Sequence, residues 1–294
     1  MQLDNKPESV NIQGSIGIGL DPKKHKWAIH EKTKNNILVA KRGLVAETAQ
    51  ILDELKLVQK LEHENILPFL EHFTDDQAIY LCSPLMDLGS AERLLNSFYN
   101  DGFPEPAIQK DYSPWYQSQN ILLDTNGSVK LAGFENALLI SGCNRWIGVE
   151  EKVHDFRESL SSVFIWLAPE IMKQDLCGYG VTSDVYSIGI TLCELGNGFA
   201  PFQEMEAMQI LFEKLRGSTP YILDTSSEGY VGQRVFTPAL HDITAKCLSY
   251  DGNQRSSCDE LLKHGIFKEQ LENTKYMSLS NLLPEATPCK LTVL

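Results

Sequence analysis

The spacing of apolar positions divides the 294 residues into a strand-rich first part and a helix-rich second part. Residues 1–11 are polar and lead into a first strand. Trp27-Ala28-Ile29-His30 and Asn36 to Lys41 read as two strands joined through Glu31 to Asn35. Ile66 to Phe73 and Ala78 to Cys82 read as two more, with Thr74 to Gln77 as the turn. Between these pairs Ile51, Leu55, Val58 and Leu61 recur at threes and fours, which predicts a helix over 47–61, broken at His63-Glu64-Asn65. The first part is therefore a mostly antiparallel sheet with one inserted helix.

Ser83 to Gly89 is an extended connector around Pro84, and Ser90 is the expected N-cap of a helix running to about Tyr99. The apolar runs Ile121-Leu122-Leu123 and Val129 to Ala132 flank Asp124-Thr125-Asn126-Gly127. Asn-Gly between such runs predicts a hairpin, because both residues tolerate positive φ. Residues 136–167 lack a period and form a long loop. After Pro169 the chain turns helical. Ser183-Asp184 is expected to cap an apolar helix, Val185 to Leu195, that ends at Gly196-Asn197-Gly198. Met205 to Leu215, Leu240 to Leu248 and Asp259 to His264 are further helices, and 268–294 turns polar and reads as a tail.

Composition narrows the classes. The chain is 43% hydrophobic and 22% charged, enough apolar material for a large core. A net charge of −13 argues against nucleic acid or an anionic membrane as partner, since both need basic patches, and ordinary solubility accounts for it. Seven cysteines, an odd number with no C-x-x-C pair, point to buried thiols in a reducing cytosolic or nuclear setting. No Cys/His cluster has zinc-ligand spacing, so no metal site is expected. Met1 to Val10 lacks a signal-peptide apolar region, and no run approaches the ~20 apolar residues of a membrane helix.

Candidate chemistry lies in an ordered series. Gly17-Ile18-Gly19 is a glycine-rich turn. Leu38-Val39-Ala40-Lys41 follows, with Val39 and Lys41 on one face of the strand. Glu54 comes thirteen residues after Lys41. Then come Asn120, Gly133-Phe134-Glu135, Ala168-Pro169-Glu170, Asp184 to Gly189, and Arg255. Over roughly residues 12–267 this series resembles a eukaryotic protein kinase domain. The resemblance implies an α+β bilobal protein kinase-like fold, with a small β-rich N-lobe over 12–83, a larger helical C-lobe over 87–267, and a nucleotide cleft between them. It implies that Lys41 pairs with Glu54 and reaches the phosphates under Gly17 and Gly19. Glu170 would pair with Arg255, and Asp184 would cap its helix and hold the backbone before Asn120. Ser83 takes the gatekeeper position, Met86 can offer its N–H to an adenine, and Val39 and Leu122 would sandwich the base. ATP bound without a strong magnesium requirement is one expectation. A structural Lys41–Glu54 pair over an empty cleft is the other.

The departures from the kinase pattern bear on function. An active kinase needs an aspartate five residues before Asn120 to accept the substrate proton, and that position holds Trp115, whose indole has no basic lone pair. The principal magnesium aspartate is replaced by Gly133, with Glu135 two positions on, and Asn120 alone is a poor magnesium ligand. Counting from Gly17, the third glycine position is Pro22, which offers no N–H, and the following valine position is Lys24. Between Ser83 and Asn120 lie 36 residues, too few for the two helices expected there, so the long buried C-lobe helix is shortened.

Gly178 to Leu195, preceded by His154-Asp155-Phe156 and Trp166 to Glu170, together with Gly89-Ser90-Ala91 and Leu223-Asp224-Thr225, is similar to the STRAD family of pseudokinase adaptors. That resemblance implies no catalytic residues. It also implies allosteric activation of a liver-kinase-B-type serine/threonine kinase alongside a mouse-protein-25-type helical-repeat scaffold. The partner kinase would sit as a pseudosubstrate-like ligand against 136–167 and the large-lobe cleft. The family's Trp-Glu-Phe ending is not among Lys290 to Leu294, so scaffold docking is expected through helix 47–61 rather than through the tail. Two alternatives stand beside this reading: a weak serine/threonine kinase with atypical metal use, and a shortened, non-functional or competing isoform.

Overall fold

The structure is a computed structural model that describes residues 8–16, 25–44, 48–75, 78–110, 117–138, 152–154, 163–224, 234–267 and 279–293. The chain forms two compact units. One comprises 1–89, 122–139 and 287–294, and the other 90–121 and 140–286.

In the first unit β1 (Val10–Ile16), β2 (His25–His30), β3 (Asn36–Leu44), β4 (Glu71–Thr74) and β5 (Ala78–Pro84) make an antiparallel sheet, with α1 (Thr48–Lys60) inserted after β3. The expected strand over Ile66 to Phe73 is shorter than its apolar run. Pro68 carries no N–H for a ladder, so only Glu71–Thr74 pairs with β5, and Ile66 makes an isolated parallel bridge to Leu131. Val10, Ala28, Ile37, Val39, Phe73, Ala78, Tyr80 and Cys82 pack together on one face. Ile79 and Leu81 lie on the other, against Ile51 and Leu55 of α1. In the β3–β5 ladder Val39 faces Cys82 and Lys41 faces Tyr80, whereas Ala40 faces Leu81 and Arg42 faces Ile79. Residues opposite each other in an antiparallel pair share a face. Val39 and Lys41 therefore point away from α1, and Ala40 and Arg42 point toward it.

β6 (Gly89–Ser90), β7 (Ile121–Leu123) and β8 (Val129–Leu131) form a second, three-stranded sheet. The Asn-Gly hairpin forms as expected. Gly127 takes φ +87°, its N–H donates to the Asp124 carbonyl at 2.9 Å, and the Asp124 N–H donates to Ser128 at 3.0 Å.

The segment expected to be a polar tail is folded where it is described. β9 (Leu291–Val293) pairs antiparallel with Gly14–Ile16 and becomes the outermost strand of the large sheet. The Trp27 indole N–H donates to the Thr292 carbonyl at 3.1 Å. A Cβ at Gly14 would overlap that same carbonyl oxygen. The Cys289 N–H donates to the Asp87 carbonyl at 2.7 Å.

The second unit contains α2 (Ala91–Phe98), α3 (Glu105–Lys110), α4 (Pro169–Met172), α5 (Val181–Asn197), α6 (Ala207–Leu215), α7 (Pro238–Cys247), α8 (Cys258–Leu262) and α9 (Leu279–Leu282). Ser90 caps α2, its hydroxyl accepting from the Arg93 N–H at 3.2 Å. α5 is buried along most of its length and starts four residues before the expected Val185. Gly180 is its N-cap, and Asp184 sits in its first turn, where a carboxylate suits the helix dipole. Gly189 lets α7 come close, since a Cβ there would lie 2.6 Å from Leu248 Cγ. α3 is only six residues long, and residues 111–116 lie outside the described residues. α3 packs against α5 and α9, and Ala107, Ile108, Leu279 and Leu283 are all buried.

Candidate functional site

The candidate site of the first unit is organised by β3, α1 and the segment after β8. Glu54 lies in the middle of α1 and is 5% exposed. Its carboxylate meets Arg42 Nη2 at 3.0 Å and also accepts the Phe134 backbone N–H. Arg42 Nη2 lies 3.5 Å from Glu135 Oε2 as well. Burial pushes the Glu54 carboxyl above its ordinary value. The Arg42 charge opposes that rise and the Glu135 charge adds to it.

Arg42, not Lys41, is thus the partner of Glu54. The spacing of a kinase β3 motif fits two registers, Leu38-Val39-Ala40-Lys41 and Val39-Ala40-Lys41-Arg42. The ladder selects the second, because a one-residue slip moves every side chain to the opposite face. The same slip removes Val39 from the expected roof of the site. It is 1% exposed, inside the core on the far face, and Ala40 takes the α1-facing position.

Ser83 pairs with Leu38 on the α1-facing side and is buried. Met86 is buried too, and its carbonyl accepts the Gly89 N–H at 3.0 Å. The Asp87 carboxylate ties this connector to the hairpin, accepting from the Thr125 N–H at 2.8 Å and its hydroxyl at 2.6 Å. Leu122 is half-buried in β7. Gly133 adopts φ +79°, a left-handed conformation that favours glycine. Asn120 ends a 3-10 turn in the second unit. Gly17, Gly19, Pro22, Lys24 and Trp115 lie outside the described residues.

Sequence reasoning missed Asn65. It reads as a helix breaker, yet its amide donates to the Val129 carbonyl at 3.1 Å and its own carbonyl accepts the Leu131 N–H at 2.7 Å. It pins the hairpin that carries Gly133 to Glu135.

In the second unit Glu170 meets Arg255 in a bidentate pair at 2.6 and 2.8 Å, as the kinase resemblance implies, and Ser183 Oγ adds a third bond to Glu170 at 2.6 Å. Burial works to raise the Glu170 carboxyl, but the hydrogen bonds and charge of Arg255 outweigh it and hold the group below its usual range. Arg255 also donates to the Thr182 carbonyl at 2.9 Å and the Ser249 carbonyl at 2.7 Å, so its guanidinium is well satisfied.

Two further buried charges escaped the sequence reading. Lys214 is fully buried in α6. Its ammonium donates to the carbonyls of Phe164, Ile165 and Leu167 and lies 5.0 Å from the Tyr186 ring centroid, while burial pushes its pKa down to about 7. Glu194, buried in α5, accepts from the Ser118 N–H at 3.2 Å and hydroxyl at 2.5 Å, and burial pushes its carboxyl up to about 7. A charged residue inside an apolar helical run was the signal available for both. Among the described residues no group of three or more His, Cys, Asp or Glu side chains could hold a metal ion.

Residues 117–267 match the protein kinase domain family. The chain is 31% identical over 287 residues to STE20-related kinase adapter protein alpha of Mus musculus, covering 80% of this chain and 65% of that protein. The same identity holds to the Rattus norvegicus protein, with 72% of that relative covered. It is 30% identical over 335 residues to STE20-related kinase adapter protein beta of Mus musculus, covering 94% of this chain and 78% of that one. The β-rich first unit, the helical second unit and the Glu170–Arg255 pair thus belong to a protein kinase fold. Within that class the chain belongs to the STE20-related kinase adapter family, the STRAD pseudokinases.

Proposed function

We propose that the protein is a non-catalytic adaptor that binds a liver-kinase-B-type serine/threonine kinase and activates it allosterically, in an assembly with a mouse-protein-25-type scaffold. The observation that carries this reading is at the two positions where phosphoryl transfer needs acidic groups. Trp115 cannot accept a proton, Gly133 brings no side chain, and the carboxylate two positions on, Glu135, is directed to Arg42. The Glu170–Arg255 pair, which shapes the fold and takes no part in phosphoryl transfer, persists. Family members carry the name adapter, which supports the same reading.

A nucleotide fits this site in part. Arg42 would face the phosphates, Met86 would offer its backbone, and Leu122 would contribute an apolar wall, whereas Val39 is turned into the core. ATP held without a strong magnesium requirement would act as a structural ligand that steadies the fold. The expected location is cytosolic or nuclear, and among the described residues no helix is long and apolar enough to cross a membrane.

Co-expression with a tagged partner kinase tests the adaptor reading. Co-purification in stoichiometric amounts with a rise in partner activity is expected. No association together with unchanged partner activity rejects it. The six-residue α3 favours one further reading, a shortened form that competes with a longer relative for the same partner. In that case the chain would associate and lower the partner's activity.

A further inference from the structure

The Arg42 guanidinium carries two carboxylates. Glu54 is the buried one, with a side chain 3% exposed, and it is bonded at two points, to Arg42 and to the Phe134 N–H. Glu135 is the open one, 48% exposed, and touches the same Nη2 at 3.5 Å. Among the described residues the cluster is one cation against two anions. A phosphate arriving at Arg42 would add further negative charge beside both carboxylates, and Glu54 has nowhere to go. Glu135 can leave by side-chain rotation alone, because the backbone of its segment stays bonded to Glu54 through Phe134. The residue that follows Gly133-Phe134 therefore controls access to the cation.

We propose that Glu135 is an internal anionic competitor that occupies Arg42 in place of a ligand phosphate and so sets the affinity and specificity of this site for phosphate-bearing ligands. The inference rests on the nucleotide reading of the site and is independent of the adaptor activity. Glu135 discriminates by charge. It weakens ATP, ADP and inorganic tripolyphosphate and leaves adenosine, which brings no charge to Arg42, unaffected.

Isothermal titration of the full chain with ATP, tripolyphosphate and adenosine, all in chelator without magnesium, tests this. Glu135→Gln keeps the side chain's size and removes its charge, and its exposure makes it tolerable to the fold. The variant is expected to bind ATP and tripolyphosphate about fivefold more tightly than the unmodified chain, the range of a partly exposed charge pair. Adenosine affinity stays unchanged, and the gain disappears in the Arg42→Gln, Glu135→Gln double variant. Should that double variant not fold, the adenosine comparison carries the same distinction. Equal tightening for adenosine, or no tightening of either phosphate ligand, overturns the inference. A gain for tripolyphosphate with no binding of ATP or adenosine supports the Arg42–Glu135 competition while rejecting the nucleotide reading. Either result leaves the adaptor reading to its own test.

Discussion

Gly14→Val should detach the C-terminal strand from the first unit. Strand propensity favours valine over glycine, so within β1 alone the substitution would be neutral or stabilising. The obstacle is β9. Gly14 pairs with Val293, and a Cβ at position 14 would overlap the Thr292 carbonyl oxygen and lie 2.9 Å from Trp27 Nε1. Backbone cannot give way as a flexible side chain can, so β9 must leave. It would lose the ladder over Gly14–Ile16 and the Trp27–Thr292 hydrogen bond. At roughly 1 kcal/mol net for each of three or four hydrogen bonds, about 3 kcal/mol is at stake. The conformational entropy recovered by the released residues reduces this to about 1–2 kcal/mol. Hydrogen exchange should show Thr292 and Val293 exchanging as free chain, and urea denaturation should show the loss of stability. The decisive arm is the chain truncated after Thr287. There Gly14→Val should cost far less, because the overlap with the Thr292 carbonyl has gone and only the Trp27 indole, a side chain that can shift, remains close. A valine penalty of the same size in the truncated chain would refute the assignment of Gly14 to β9.

Two other outcomes follow from the buried charges. Arg42→Met should cost about 2–4 kcal/mol in urea denaturation, since it strips a partner from the buried Glu54, whereas Lys41→Met should stay within about 0.5 kcal/mol; a reversed order would contradict the β3 register. Glu194 has its carboxyl raised to about 7 from the ordinary 4.5, so between those values the folded chain holds a proton that the unfolded chain releases. Its contribution is full below pH 4.5 and is lost as pH rises through 7, by up to about 3 kcal/mol, and Glu194→Gln should flatten that part of a stability–pH profile measured from pH 5 to 8.

What could be read from the sequence was what depends on neighbours in the chain. The helix over 47–61 appears as Thr48–Lys60 because its apolar residues follow the helical period, and Ser90 and Asn126-Gly127 act through local capping and turn chemistry. Arg42 was not legible, because alternation fixes which residues share a face but not which face meets α1. That needs β5, whose Ile79 and Leu81 carry α1. The C-terminal strand was hidden for a different reason. Leu291-Thr292-Val293 is too short to show a period, and the glycine that admits it lies far away in sequence at position 14. Glu194 and Lys214 sit in apolar helical runs, and their partners, Ser118 and the carbonyls of 164–167, come from distant segments. At Gly133 sequence and structure agree on the missing side chain. The structure adds that Glu135, which could have been taken for a substitute, is directed to Arg42.

The most direct test pairs this chain with a catalytically dead copy of the proposed liver-kinase-B-type partner and, separately, with the active copy, and follows transfer of labelled phosphate. A non-catalytic adaptor role predicts no incorporation above background with the dead partner, and a rise in phosphorylation of the active partner's peptide substrate when the chain is added in equimolar amount. Magnesium-dependent incorporation in the presence of the dead partner, lost when Arg42 is substituted, would contradict it.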